Sequence, residues 1–121
     1  ILNNGAAFVY RLGPSSWAVE QMLTPVMDPN IPVFGYSLSL LGDDLFVGAP
    51  QDSTSLGASG FVYRFQRQGN TWTEVAKFES PAPFEARMFG AAMARHGDQL
   101  AISAPASPSQ LKGKVHLHAL N

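Results

Sequence analysis

Cysteine is absent from the 121 residues, which excludes disulfides and thiolate-held metal. Charge is scarce as well: Asp, Glu, Lys and Arg make up 14% of the chain, against roughly 25% in average soluble proteins. The net charge is -1, and the basic residues Arg11, Arg64, Arg67, Lys77, Arg87, Arg95, Lys112 and Lys114 are scattered along the chain. That pattern excludes a nucleic-acid surface, which needs clustered Lys and Arg. No apolar run approaches the ~18 residues of a membrane span. The sequence opens on Ile1 without a basic-then-apolar leader, which leaves the compartment open. An apolar stripe at helical spacing is also missing, because eleven Gly and nine Pro interrupt every candidate.

Apolar residues, by contrast, are plentiful at 45%. That is enough buried surface to offset chain entropy, so a folded chain is expected rather than a disordered one. The apolar segments are short, rich in Phe, Val, Tyr and Leu, and separated by turn residues. An all-β fold follows.

The sequence also repeats itself. Residues 34–50 read FGYSLSLLGDDLFVGAP and residues 89–105 read FGAAMARHGDQLAISAP, seven of seventeen positions being identical at an ungapped offset of 55. FVYR occurs at 8–11 and again at 61–64, and KVHL follows at 114–117, each step being 53 residues. Trp17 and Trp72 match at 55. The two-residue drift falls in turns, where a repeated strand framework tolerates it. Each period holds four strand-like runs, at 34–41, 44–49, 60–66 and 72–79, with a tight turn at Gly42-Asp43 and turn chemistry at Gly69-Asn70. Four short antiparallel strands per 40 to 55 residues is the blade of a β-propeller. The chain then divides into the end of one blade (1–24), a complete blade (34–80) and most of a third (89–121). Two, four and three strands in turn amount to about two repeats of an incomplete propeller.

Phe34-Gly35 followed by Gly48-Ala49-Pro50 resembles the FG-GAP repeat of integrin α-subunit propellers and bacterial extracellular proteins. The second copy, Phe89-Gly90 with Ser103-Ala104-Pro105, carries Ser in place of the first Gly of GAP. The resemblance implies a seven-bladed closure and an extracellular or cell-surface location, in a bacterium. It also implies that Phe34 and Phe89 wedge between blades while Gly35 and Gly90 allow close backbone approach. Many repeats of this family carry an Asp-rich calcium cage in the loop between the first and second strands. Here that loop is reduced to Leu41-Gly42-Asp43-Asp44 and His96-Gly97-Asp98-Gln99. Calcium wants six to eight oxygens, so no cofactor is expected.

Other chemistry is sparse. His116 and His118 at i and i+2 share one strand face and could seat a metal, but they align with Tyr10, Tyr63 and Phe65, which are packing positions. No paired carboxylates, nucleophile elbow or phosphate loop is present. Trp17 and Trp72 could stack on sugars, yet a repeated Trp is more often packing between blades. In a four-stranded blade the long connections share one edge, and those at 24–33, 51–59, 81–88 and 106–112 are the candidate ligand loops. Within them Met27, Asp28, Asp52, Ser53, Leu56, Phe84, Glu85, Arg87 and Gln110 are the candidate binding residues. The expected function is a non-enzymatic extracellular binding or adhesion module for a protein or glycan. The alternatives are a structural domain of a surface assembly, or part of an enzyme whose active site lies in other blades. The strand count leads to the expectation that the chain packs against remaining blades of a longer chain or against other copies of itself.

Overall fold

The computed structural model describes residues 5–26, 33–51, 60–81, 88–105 and 113–120. All regular structure among them is β: β1 (Ala7–Leu12), β2 (Trp17–Leu23), β3 (Ser37–Leu41), β4 (Asp44–Pro50), β5 (Gly60–Gln68), β6 (Thr71–Glu79), β7 (Met93–His96), β8 (Gln99–Ala104) and β9 (Lys114–Ala119). They form three antiparallel sheets in the orders β1-β2, β3-β4-β5-β6 and β7-β8-β9. Each strand pairs with its neighbour in sequence, and the sheets stack like blades of an incomplete propeller. Gly42, Gly69 and Gly97 take positive φ at the hairpin turns, where a left-handed residue matches the twist of the strands it joins.

The expected first strand of the complete blade, 34–41, is shorter at its start. Val33 and Gly35 both adopt positive φ, and the amides of Gly35 and Tyr36 converge on the Gly48 carbonyl, each at 3.1 Å. Backbone in that conformation cannot continue the β3–β4 ladder, so pairing begins only at Ser37 opposite Gly48.

Side chains alternate across a strand, and in the second sheet both faces are covered. Leu45, Val47 and Ala49 on β4, with Phe61, Tyr63 and Phe65 on β5, point forward to a cluster that includes Ala7 and Leu23 of the first sheet. Phe46 and Val62 point backward to Phe89, Leu100, Ile102 and Ala104 of the third. That is why these strands read as continuous apolar runs rather than alternating ones. Repeat-equivalent positions make the point quantitatively. Val62 is fully buried, whereas Val115, on the same backward pleat of the third sheet, is 67% exposed. Trp72 is 5% exposed and Trp17, on the forward face of the first sheet, 64%. Burial of one such side chain contributes about 1.5–3 kcal/mol, so the neighbouring sheet rather than the residue sets the stability.

Gly48 and Gly90 sit where the second and third sheets approach closely. Gly90 has φ 96°, and a Cβ on Gly48 would lie within 2.2 Å of the Gly90 carbonyl oxygen. Ser103 replaces Gly48 in the next repeat on a face that no described sheet covers, and its hydroxyl instead accepts a hydrogen bond from the Ala92 amide at 3.0 Å. Phe89 is fully buried between the second and third sheets, and Phe34 packs edge-on against Tyr63 at 5.5 Å and Phe65 at 6.1 Å. Phe34→Ala and Phe89→Ala are each expected to lower unfolding free energy by about 3–5 kcal/mol in denaturant titrations; a loss below about 1 kcal/mol would show that neither ring is tightly packed.

Candidate functional site

The alternation of the strands divides the molecule into two edges. The connections at 13–16, 42–43, 69–70 and 97–98 are short and lie on one of them. Those between β2 and β3, β4 and β5, β6 and β7, and β8 and β9 are long, and the strand ends they join are at the other. Met27, Asp28, Asp52, Ser53, Leu56, Phe84, Glu85, Arg87 and Gln110 belong to these long connections and fall outside the described residues. What the structure describes is the platform beneath them. Of the repeat-motif positions, Ala49, Pro50 and Ala104 are buried within their sheets and Pro105 is exposed at the end of β8.

Ionic groups tie the sheets together at the short-turn edge. Asp44 opens β4 and faces the third sheet. Its carboxylate accepts two hydrogen bonds from Arg64, Nε at 2.8 Å and Nη2 at 2.9 Å, and a third from Arg95 Nη1 of β7 at 2.8 Å. Both guanidinium groups lie over the Phe46 ring, 5.3 Å and 5.7 Å from its centre. Partial burial opposes ionisation of Asp44, but the hydrogen bonds and charges of Arg64 and Arg95 outweigh it and hold the carboxyl below its ordinary range.

The other seam uses a β-bulge that sequence reading missed. Val9 pairs with Gln21 and Tyr10 with Val19, so Glu20 is the extra residue in β2. Its carboxylate reaches across to the second sheet, accepting from Arg67 Nη2 at 2.8 Å and from the Trp72 indole at 3.0 Å. Those hydrogen bonds, the Arg67 one foremost, lower the pKa of Glu20 despite the opposing effect of burial. The next residue, Gln21, presents its amide to the backbone of Trp72: Nε2 donates to the carbonyl at 2.9 Å and Oε1 accepts from the amide at 2.7 Å. A side chain thus closes part of the open edge of β6 as a neighbouring strand would. The same bulge recurs in β6, where Arg64 pairs with Ala76 and Phe65 with Glu74, leaving Val75 as the extra residue. The bulge is therefore a property of the repeat, and the acid is a property of one copy.

Beside this clamp a cleft of about 440 Å³ runs between β2 and β6. Phe65, Trp72 and Leu23 line it together with Met22, Val26 and the polar Gln21, Thr24, Thr73 and Glu74. Glu74 Oε1 accepts a hydrogen bond from the Val26 amide at 3.0 Å. Among the described residues it is the only ionisable group in the lining, and their mixed character suits an apolar or mixed ligand. Trp72 is buried in the wall, while Trp17 stands exposed on the outer face of the first sheet. Among the described residues no three His, Asp or Glu side chains gather to hold a metal ion, and no helix is long and apolar enough to cross a membrane.

No protein-family model matches the chain, and no curated protein matches its sequence.

Asp44→Asn removes the charge shared by two guanidinium groups and is expected to cost about 1–3 kcal/mol at neutral pH. Because the folded-state pKa of Asp44 is depressed, its contribution is present above the unfolded value near 3.8 and is lost as pH falls below it. Urea titrations of both proteins should therefore differ at pH 7 and converge toward pH 2; a constant difference would show that ionisation of Asp44 is not involved.

Proposed function

We propose that the chain belongs to a non-enzymatic, extracellular binding or adhesion module of the FG-GAP type, which recognises a protein or glycan through its long connections. The observation that carries this reading is the separation of edges. Short glycine hairpins and inter-sheet ion pairs lie together on one edge, and every long connection leaves the other. A rigid stack with long loops on one side suits recognition, since the scaffold fixes the loop ends while loop sequence is free to vary. The acids that cross the seams, Glu20 and Asp44, are each engaged by arginine, which suits a scaffolding role better than proton transfer. The resemblance of Phe34-Gly35 with Gly48-Ala49-Pro50 to the FG-GAP repeat supports the surface location and the bacterial source. Calcium is not proposed as a cofactor, because the turn that would hold it is the two-residue Gly42-Asp43, whose Asp43 carboxylate lies 3.5 Å from Arg67.

A structural role in a surface assembly is the second reading, and the exposed outer faces favour it. Phe8, Tyr10, Leu12 and Trp17 on the first sheet occupy the repeat positions that Phe61, Tyr63, Phe65 and Trp72 bury in the second. We propose that sheets of the same repeat pattern cover these faces, supplied by further blades of a longer chain or by other copies.

Glycan and protein arrays probed with the 121-residue chain test the binding reading. A ligand is expected whose affinity falls about tenfold or more, ~1.4 kcal/mol, in Asp52→Ala, Phe84→Ala or Arg87→Ala, at an unchanged melting temperature. Absence of any ligand, or binding indifferent to all three substitutions, would favour the structural role.

A further inference from the structure

The third strands of the second and third sheets differ at two equivalent positions in a way that changes their chemistry. Tyr63 and Phe65 on β5 pack forward onto the first sheet. At the same places on β9 stand His116 and His118, which face the second sheet. The His116 ring meets Phe89 with centres 5.4 Å apart, and the His118 ring meets Phe78 at 5.4 Å and Phe89 at 6.4 Å. Both Nε2 atoms are buried and have no hydrogen-bond partner among the described residues. A neutral imidazole tolerates such a place as an aromatic ring, whereas an imidazolium there would carry a buried, unpaired N–H and a charge.

The described surroundings do not compensate for that charge. From β8 the facing residues are Leu100 and Ile102, from β6 Phe78, and from the segment before β7 Phe89. The charged side chains on the same seam are Lys114 of β9, Arg95 of β7, and Arg64 and Asp44 of the second sheet. The one carboxylate among them already binds both arginines. Glu74, Lys77 and Glu79 of β6 lie on its other face, Glu74 lining the cleft, Lys77 resting over Phe61 and Glu79 pairing with Phe61 across the ladder. Burial, then the neighbouring His118 and Lys114, depress the pKa of His116. A metal does not explain the pair, since among the described residues aromatic rings rather than further donors surround it.

We propose that His116 makes the seam between the second and third sheets an acid-sensitive joint, closed when its ring is neutral and packed against Phe89 and loosened when it takes up a proton. Above the ordinary imidazole pKa of about 6.5, closed and open states bind protons equally and the joint is at full strength. As pH falls below that value the open state binds more protons, and stability declines until the folded-state pKa is reached. The forward seam, with Tyr63 and Phe65 in these positions, has no such response. This window lies well above the one in which Asp44 titrates.

Hydrogen exchange of the intact chain, corrected for the intrinsic pH dependence of exchange, reads the joint directly. Between about pH 7.5 and 5, protection of β9 is expected to fall about tenfold relative to β1. The double variant His116→Tyr, His118→Phe, which installs the residues of the preceding repeat, should remove most of that loss. An equal loss in the variant, or none in the unsubstituted chain, would overturn the proposal. Titration of the imidazole ring protons by NMR in the unsubstituted chain decides the matter even if the variant does not fold: a His116 pKa below about 6.5 supports the joint, and one at or above it refutes it.

Discussion

A strand that sends successive side chains to opposite sides can be apolar at every position only if both sides are covered. In this chain the second sheet meets that condition and the other two meet it on one side. The rest of the structure depends on that coverage. Where a neighbouring sheet is present, Val62 and Trp72 are buried; where none is described, their counterparts Val115 and Trp17 are exposed. Glycine at positions 48 and 90 lets the backbones come close enough for the wedge of Phe89 to fill the space between. Where the next sheet is not described, Ser103 takes the place of Gly48 and bonds within its own sheet.

Polar groups then fix how the covered faces align. Hydrophobic contact is not directional, and two twisted sheets could slide over one another at little cost in buried area. Glu20 on its bulge, the Gln21 amide against Trp72, and Asp44 between two arginines each specify one lateral position. Each seam has a different set, so the stack is repetitive in its packing and individual in its polar contacts. On the seam between the second and third sheets, His116 and His118 pack as aromatic rings against Phe89 and Phe78.

Much of the fold was legible in the sequence because its signals are local. Gly42-Asp43 and Gly69-Asn70 marked hairpins, and FVYR at two places with KVHL at a third marked the third strands, all of which the structure contains. The start of the complete blade reads as strand because 34–41 alternates Phe, Tyr and Leu with Gly and Ser, while the left-handed conformation of Val33 and Gly35 leaves no compositional trace. Glu20 was not legible as a bridging acid, since a bulge is invisible in composition and its counterpart Val75 carries no charge. Asp44 was read as part of a turn because its partners lie 20 and 51 residues away. The residues chosen for binding lie in the long connections, and the structure speaks only to the edge from which those connections leave.

Double-mutant cycles test most directly whether adjacent residues of one strand serve separate interfaces. Phe46 and Val47 are neighbours in sequence, but one packs on the third sheet and the other on the first. Phe46→Leu combined with Leu100→Ala should show a coupling energy of about 0.5–3 kcal/mol, and Val47→Ala combined with Leu100→Ala should be additive to within about 0.5 kcal/mol. Equal coupling of Phe46 and Val47 to Leu100 would contradict the division of the second sheet between two neighbours.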